Sequence, residues 1–213
     1  MTYTITEIVQ AKKNSERVNI YLNNVFWIGL SKNALLELQI IKGKVLSDLE
    51  KAEIERTSLN QKLIDRALRY LQIRPRSIAE IRDYLVLKKE VPEEDAENVI
   101  TYLQENDLLS DEKFAQWYAE YKLRSGINGV NKITAELLKK RVDRKIIAKV
   151  IEKLSANKEF QSEQREKIEN YAKRVLPGIK AKDAYELKAK LTQKLLARGF
   201  KYDEIKKILP QIV

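Results

Sequence analysis

The feature that most constrains this chain is a threefold recurrence. EIRDYLVLKKEVPEEDAENVITYL, starting at Glu80, resembles KITAELLKKRVDRKIIAKVIEKL, starting at Lys132, and both resemble KLTQKLLARGFKYDEIKKILPQI, starting at Lys190. Ile81, Ile133 and Leu191 correspond, as do Leu85, Leu137 and Leu195. Positions four apart share one helix face, so each pair marks a buried stripe. In each copy an apolar residue (Val91, Val142, Phe200) then precedes a second one (Val99, Val150, Ile208) on the following helix. A further helical segment stands ahead of each pair: Asn60–Ile73, Ser110–Arg124 and Lys158–Leu176. The period is roughly 50 to 60 residues. Such a chain predicts three tandem three-helix repeats forming an elongated curved array, each repeat burying a face against its neighbour.

The first 46 residues follow a different rule. β-Branched and aromatic residues alternate near period two in Thr2–Val9 and Val18–Ile28, and Asn23-Asn24 supplies a tight hairpin turn. Lys12-Lys13-Asn14-Ser15 predicts a looser turn. The expectation is a small antiparallel β unit of two or three strands, which by itself is marginal and must lean on something else. Ser31 caps a short helix predicted over Lys32–Ile41 and stopped at Gly43. Ser47-Asp48-Leu49-Glu50 is a capping box that opens the helical part, and no further strand is predicted beyond it. The predicted divisions are 1–46 for the β unit with its short helix, and 47–106, 107–156 and 157–213 for the three helical repeats.

Chemistry is bounded mainly by what is missing. The 213 residues include no cysteine and no histidine, which excludes disulfides, thiolate nucleophiles, histidine relays and zinc sites built on those ligands. Lys42-Gly43-Lys44 lacks the second glycine and the Ser/Thr of a phosphate-binding loop. Carboxylates are scattered on helix faces with a cation one turn away, as in Glu163/Lys167, and are not arranged for acid–base or two-metal work. No cofactor or metal is expected. The N-terminal MTYTITEIVQ does not read as a signal peptide and no apolar run reaches membrane-spanning length, so a cytoplasmic protein is expected. A formal net charge of +10 favours a polyanionic partner or an acidic protein surface, although a solvated Lys/Glu exterior produces the same balance.

Three motifs bear on a partner. In Ile73-Arg74-Pro75-Arg76-Ser77, Pro75 holds Arg74 extended, while Ser77 and Glu80 form a capping box for the next helix. The arginines are not needed for capping. They pair with carboxylates such as Glu80 or face a partner. Basic clusters recur where the first helix of each pair ends: Lys88-Lys89, Lys139-Lys140-Arg141 and Arg198. Cations there stabilise a helix C-terminus, and three repeats of them also line a face with positive potential. Phe114, Trp117, Tyr118 and Tyr121 lie at helical spacing beside Arg124. Nucleobase stacking is one reading; core is the other, and is favoured for Phe114, Tyr118 and Tyr121.

At ALRYLQIRPRSIAEIRDYL, then VITYLQENDLLSDEKFAQWYAEYKLRSG and ITAELLKKRV, the chain resembles the RecX family of RecA regulators. The residues that carry the likeness are Ala67, Tyr70 and Leu71, Arg74 to Ser77, Glu80 and Leu85. Leu108, Leu109, Asp111, Phe114 and Ala115 follow, with Tyr118, Arg124, Glu136 and Leu137 beyond. The third repeat matches more loosely through Leu196, Gly199 and Phe200. Members commonly carry glycine after the basic pair that closes the first helix of each repeat. Here only Gly199 does, with Glu90 and Arg141 in the other two places, so those turns are expected to be built differently.

The resemblance implies a non-enzymatic modulator that binds the RecA filament on single-stranded DNA and restrains its assembly, ATP hydrolysis and strand exchange, with direct DNA contact as a further route; a monomer is expected. The alternatives are a stand-alone DNA- or RNA-binding protein and a helical-repeat scaffold. The candidate contact residues for filament or DNA are Arg74, Arg76, Arg82, Lys88, Lys89, Arg124, Lys139, Lys140, Arg141, Arg144 and Arg198.

Overall fold

The computed structural model describes residues 2–12 and 14–212. The described residues divide into two compact units, one up to Arg74 with Leu85–Leu103, the other of Pro75–Tyr84 with those from Gln104 onward.

In the first unit, β1 (Tyr3–Gln10), β2 (Arg17–Leu22) and β3 (Val25–Ser31) are joined by α1 (Lys32–Glu37) to a two-residue β4 (Val45–Leu46). The antiparallel sheet has the order β3-β2-β1-β4, one short strand more than the alternation suggests. Asn23 (φ 48°) and Asn24 (φ 66°) make the tight β2–β3 turn, where asparagine tolerates left-handed backbone. At the earlier bend the Asn14 side chain accepts the Glu16 N–H at 2.9 Å, while Lys13 lies outside the described residues. The short helix α1 ends before Ile41. Gln39 turns left-handed (φ 47°), Ile40 N–H returns to Leu35 O at 3.0 Å, and Ile40 itself is buried. Burial of Ile40 ends the helix early; Gly43 (φ 88°) serves the later turn into β4.

The sheet leans on α2 (Asp48–Ile73), a helix opened by the Ser47/Glu50 capping box. Glu50 accepts the Ser47 N–H at 3.0 Å; that bond first, and Lys44 next, hold its carboxyl down to about 2. Ile54 completes the core of Ile5, Ile20, Leu22, Ile28 and Leu30. Three polar ties flank it: Trp27 Nε1 to Glu55 (2.8 Å), Ser58 Oγ to Gly29 O (3.1 Å) and Arg17 to Asp65 (2.9 Å).

The remaining helices are α3 (Ile78–Lys89), α4 (Glu93–Glu105), α5 (Asp111–Arg124), α6 (Val130–Lys139), α7 (Arg144–Ala156), α8 (Lys158–Val175), α9 (Ala184–Ala197) and α10 (Tyr202–Ile208). All six aligned positions, Ile81/Leu85, Ile133/Leu137 and Leu191/Leu195, have no accessible surface. Val91, Val142 and Phe200 are buried as well. The second unit carries two cores: one about Phe114, Tyr118, Ile133 and Leu137, the other about Ile168, Tyr171, Leu191 and Phe200.

The turns after α3, α6 and α9 share one left-handed residue each: Glu90 (φ 55°), Arg141 (φ 59°) and Gly199 (φ 85°). The left-handed residue is therefore kept without glycine; contrary to expectation the Arg141 turn matches the Gly199 turn, and only the Glu90 turn is built differently. Val142 N–H reaches Leu137 O (3.3 Å) and Phe200 N–H reaches Leu195 O (3.4 Å), closing the same helix-ending motif, while Val91 N–H reaches one residue further back, to Leu85 O (3.1 Å). The buried apolar residue after each turn forces the geometry. At Glu90 and Arg141 the L side chain is carried at a cost of about 1 kcal/mol.

Candidate partner-binding site

Within the second unit, the start of α3 is seated on the turn after α6. Ser77 is fully buried. Its hydroxyl accepts the Glu80 N–H (3.1 Å) and donates to Lys140 O (3.0 Å), while Glu80 accepts the Ser77 N–H (3.2 Å). Lys140 Nζ meets the other Glu80 oxygen at 2.8 Å. Asp111 accepts the Ile78 N–H at 2.8 Å, and burial pushes its carboxyl pKa up; that N–H and the charge of Arg82 only partly offset the burial. Arg141 pairs with Asp83 and donates to Ala79 O at 3.1 Å.

The start of α6 repeats this relation on the turn after α9. Gly129, the cap residue, donates its N–H to Arg198 O (2.8 Å), and Asn131 N–H reaches Gly199 O (3.0 Å). A Cβ on Gly129 would stand 2.2 Å from the Gly199 carbonyl carbon. In both joints the cap residue of a middle helix bonds the carbonyl just ahead of the left-handed residue of the next repeat. One uses a side chain, the other the backbone.

These joints sort the sequence-predicted cations by register. The residue directly before each left-handed position is engaged: Lys140 on Glu80, Arg198 with its guanidinium 5.2 Å above the Tyr171 ring, and Lys89 also not free. The residue one earlier, Lys88 or Lys139, is exposed and has no ion-pair partner among the described residues. One helical residue is a rotation of about 100°, enough to turn Lys139 away from the joint that holds Lys140 and out to solvent. Arg124 and Arg144 are likewise exposed and unpaired among the described residues. Arg74, Arg76 and Arg82 are half-buried and already engaged within the protein.

The aromatic cluster on α5 also divides. Phe114 and Tyr118 are core, as expected. Tyr118 donates to Glu136 at 2.8 Å, with Lys122 and Lys140 ammonium groups 5.4 and 5.6 Å from its ring centre. Burial and then Glu136 raise the Tyr118 pKa. Burial works against the Glu136 charge, yet Lys122 and Tyr118 outweigh it and lower that carboxyl. Tyr121 is not core: it is 53% exposed and stacks on Trp117, centroids 5.6 Å apart and planes 11° from parallel. The four-residue spacing of Trp117 and Tyr121 was the available signal.

Among the described residues no acidic cluster is placed to hold a metal ion, and no helix is long and apolar enough to cross a membrane.

Comparison with known proteins matches the RecX N-terminal domain to residues 3–47 and the first, second and third RecX three-helix domains to 64–103, 110–151 and 162–209. "Regulatory protein RecX" of Bacillus subtilis strain 168 is 32% identical over 208 residues, covering 98% of this chain and 76% of that protein. Its namesake in Listeria welshimeri is 31% identical over 199 residues, covering 92% and 71%. A crystal structure of regulatory protein RecX shares the fold at a TM-score of 0.81 and 22% identity, over 97% of this chain and 98% of the other. The RecX structure from Lactobacillus salivarius matches at 0.63 and 25% identity, over 72% and 96%. With all four domains matched in order and such identity across nearly its whole length, the chain belongs to the RecX family of regulatory proteins.

Proposed function

We propose that this protein is a non-enzymatic modulator of RecA recombinase, acting in the cytoplasm as a monomer on the RecA filament formed on single-stranded DNA. It restrains filament assembly, ATP hydrolysis and strand exchange. The observation that carries this reading is the ordered match of all four RecX domains along residues 3–209. Lys88, Arg124, Lys139 and Arg144, exposed and without ion-pair partners among the described residues, supply contacts for an acidic filament surface, and a chain of net charge +10 is drawn to it. Lys140, Arg141 and Arg198 act on the filament only indirectly, by holding the repeats that present the others.

The test is the DNA-dependent ATPase rate of the cognate recombinase as this protein is titrated in. Substoichiometric protein is expected to lower the steady-state rate, and the protein alone to hydrolyse nothing. An unchanged rate at excess protein, with DNA still bound, would instead assign a stand-alone nucleic-acid-binding role.

A further inference from the structure

Trp117 packs partly against the core from the open side of α5, while Tyr121 and Arg124 beyond it stand exposed. Phe114, Ala115, Tyr118, Ala119 and Leu123 already supply the buried side of that helix. Trp117 tilts onto Phe114 at 6.1 Å between centroids and then stacks nearly parallel on Tyr121. The ladder thus runs from the core outward and ends on Tyr121, which makes no second ring contact among the described residues and is 53% exposed. The three residues border a shallow concavity of about 320 Å³, completed by Glu120 and Ser125. One oxygen of the Glu120 carboxylate accepts from Gln116 Nε2 at 3.1 Å; its charge remains at the rim beside Arg124. Arg124, one turn beyond Tyr121, is exposed and pairs with nothing among the described residues.

We infer that this face is a stacking site for a base of single-stranded nucleic acid, in which the base extends the Trp117–Tyr121 ladder and the adjoining phosphate meets Arg124. An aromatic ring recruits any base through its π-face, and a neighbouring guanidinium adds the anion contact that a plain apolar ligand lacks. That charge complementarity distinguishes a nucleotide from a proline-rich peptide, which stacks on tryptophan and tyrosine and brings no phosphate. The inference deepens the proposed function, since the filament forms on single-stranded DNA, but its test does not need the recombinase.

The protein alone is titrated with an oligothymidylate of about 16 nucleotides. Binding is followed by tryptophan fluorescence and by anisotropy of the labelled oligomer, with Trp117→Phe giving the contribution of Trp27. Quenching is expected from oligothymidylate and not from an abasic oligomer of equal length. Tyr121→Ala should weaken binding roughly 5- to 150-fold, whereas Tyr121→Phe, which keeps the ring, should remain within about twofold. Arg124→Gln should lower the log–log salt slope by about 0.7, one single-strand phosphate. The exposure of Tyr121 lets its variants fold, and circular dichroism checks this. Wild-type affinity in Tyr121→Ala, equal binding of the abasic oligomer, or Tyr121-dependent binding of a proline-rich peptide in place of DNA overturns the inference. Recombinase inhibition that survives alongside such a result leaves the proposed function standing. Base stacking without any effect on recombinase sinks that function and leaves the stacking site.

Discussion

The hydroxyl of Ser77 donates to the carbonyl of Lys140, 63 residues away, at 3.0 Å, while the same lysine returns its ammonium to Glu80 at 2.8 Å. A helix cap is thereby also a tertiary joint. Ser77→Ala removes the acceptor for Glu80 N–H and leaves the Lys140 carbonyl without the Ser77 donor. A cap alone is worth about 0.5–2 kcal/mol; with the orphaned carbonyl the loss should reach about 2–4 kcal/mol in urea unfolding. A loss confined to the cap range would show that water takes over at Lys140.

The second joint is steric. Gly129 has an ordinary negative φ (−82°), so its need for glycine comes from space: any Cβ would meet the Gly199 backbone at 2.2 Å. Gly129→Ala should cost at least about 2 kcal/mol, and fast amide exchange at Asn131 should report the parted joint. Wild-type stability would mean that the two backbones separate freely.

At Glu90 the backbone is left-handed and the side chain is exposed. Glu90→Gly should therefore stabilise by about 0.5–1 kcal/mol, with Glu90→Ala near neutral. The matching change at Arg141 gains the same backbone relief but loses the Asp83 pair and the Ala79 hydrogen bond, so it should not stabilise. Equal gains at both sites would show that the Arg141 contacts contribute nothing.

Asp111 separates charge from hydrogen bonding. Burial raises its folded pKa, so the native state holds this proton more tightly than the unfolded chain does. The group's contribution to stability is therefore full below the unfolded carboxylate pKa and is lost as pH rises through the folded value. Asp111→Asn keeps an acceptor for Ile78 N–H without the charge and should stay within about 0.5 kcal/mol of wild type at pH 7. Asp111→Ala leaves that N–H unpaired and should cost about 1–3 kcal/mol. As pH falls through the ordinary carboxylate range, wild type should gain on the asparagine variant in unfolding midpoint. The opposite trend would mean that the charged form is the one the fold prefers.

Deleting residues 1–46 should leave a helical array that still unfolds cooperatively, but the first half of α2 should fray. Ile54 would lose its core, and Glu55, Ser58 and Asp65 their partners on the sheet. A dozen residues without packing make a marginal helix in water. Hydrogen exchange across Asp48–Asn60 checks this; full protection there, or loss of the cooperative transition, would refute it.

Local chemistry made much of this legible in the sequence. Apolar residues four apart named Ile81/Leu85, Ile133/Leu137 and Leu191/Leu195, and all six are sealed from solvent, because a helix has one side to bury and periodicity declares which. Asn23-Asn24 and the Ser47 and Ser77 caps were legible for the same reason: each is decided within four residues. What escaped was decided by distant neighbours. Tyr121 has core spacing, yet no element covers it; Glu90 and Arg141 take glycine's conformation because Val91 and Val142 must be buried. Lys88 and Lys89 look alike in a string of letters, as do Lys139 and Lys140. Only the docking of α3 on the turn after α6 turns Lys140 inward to Glu80 and leaves Lys139 to solvent. Helix periodicity fixes relative rotation within an element, but which cation finds a carboxylate depends on where another repeat sets its helix start, and that is settled by tertiary packing.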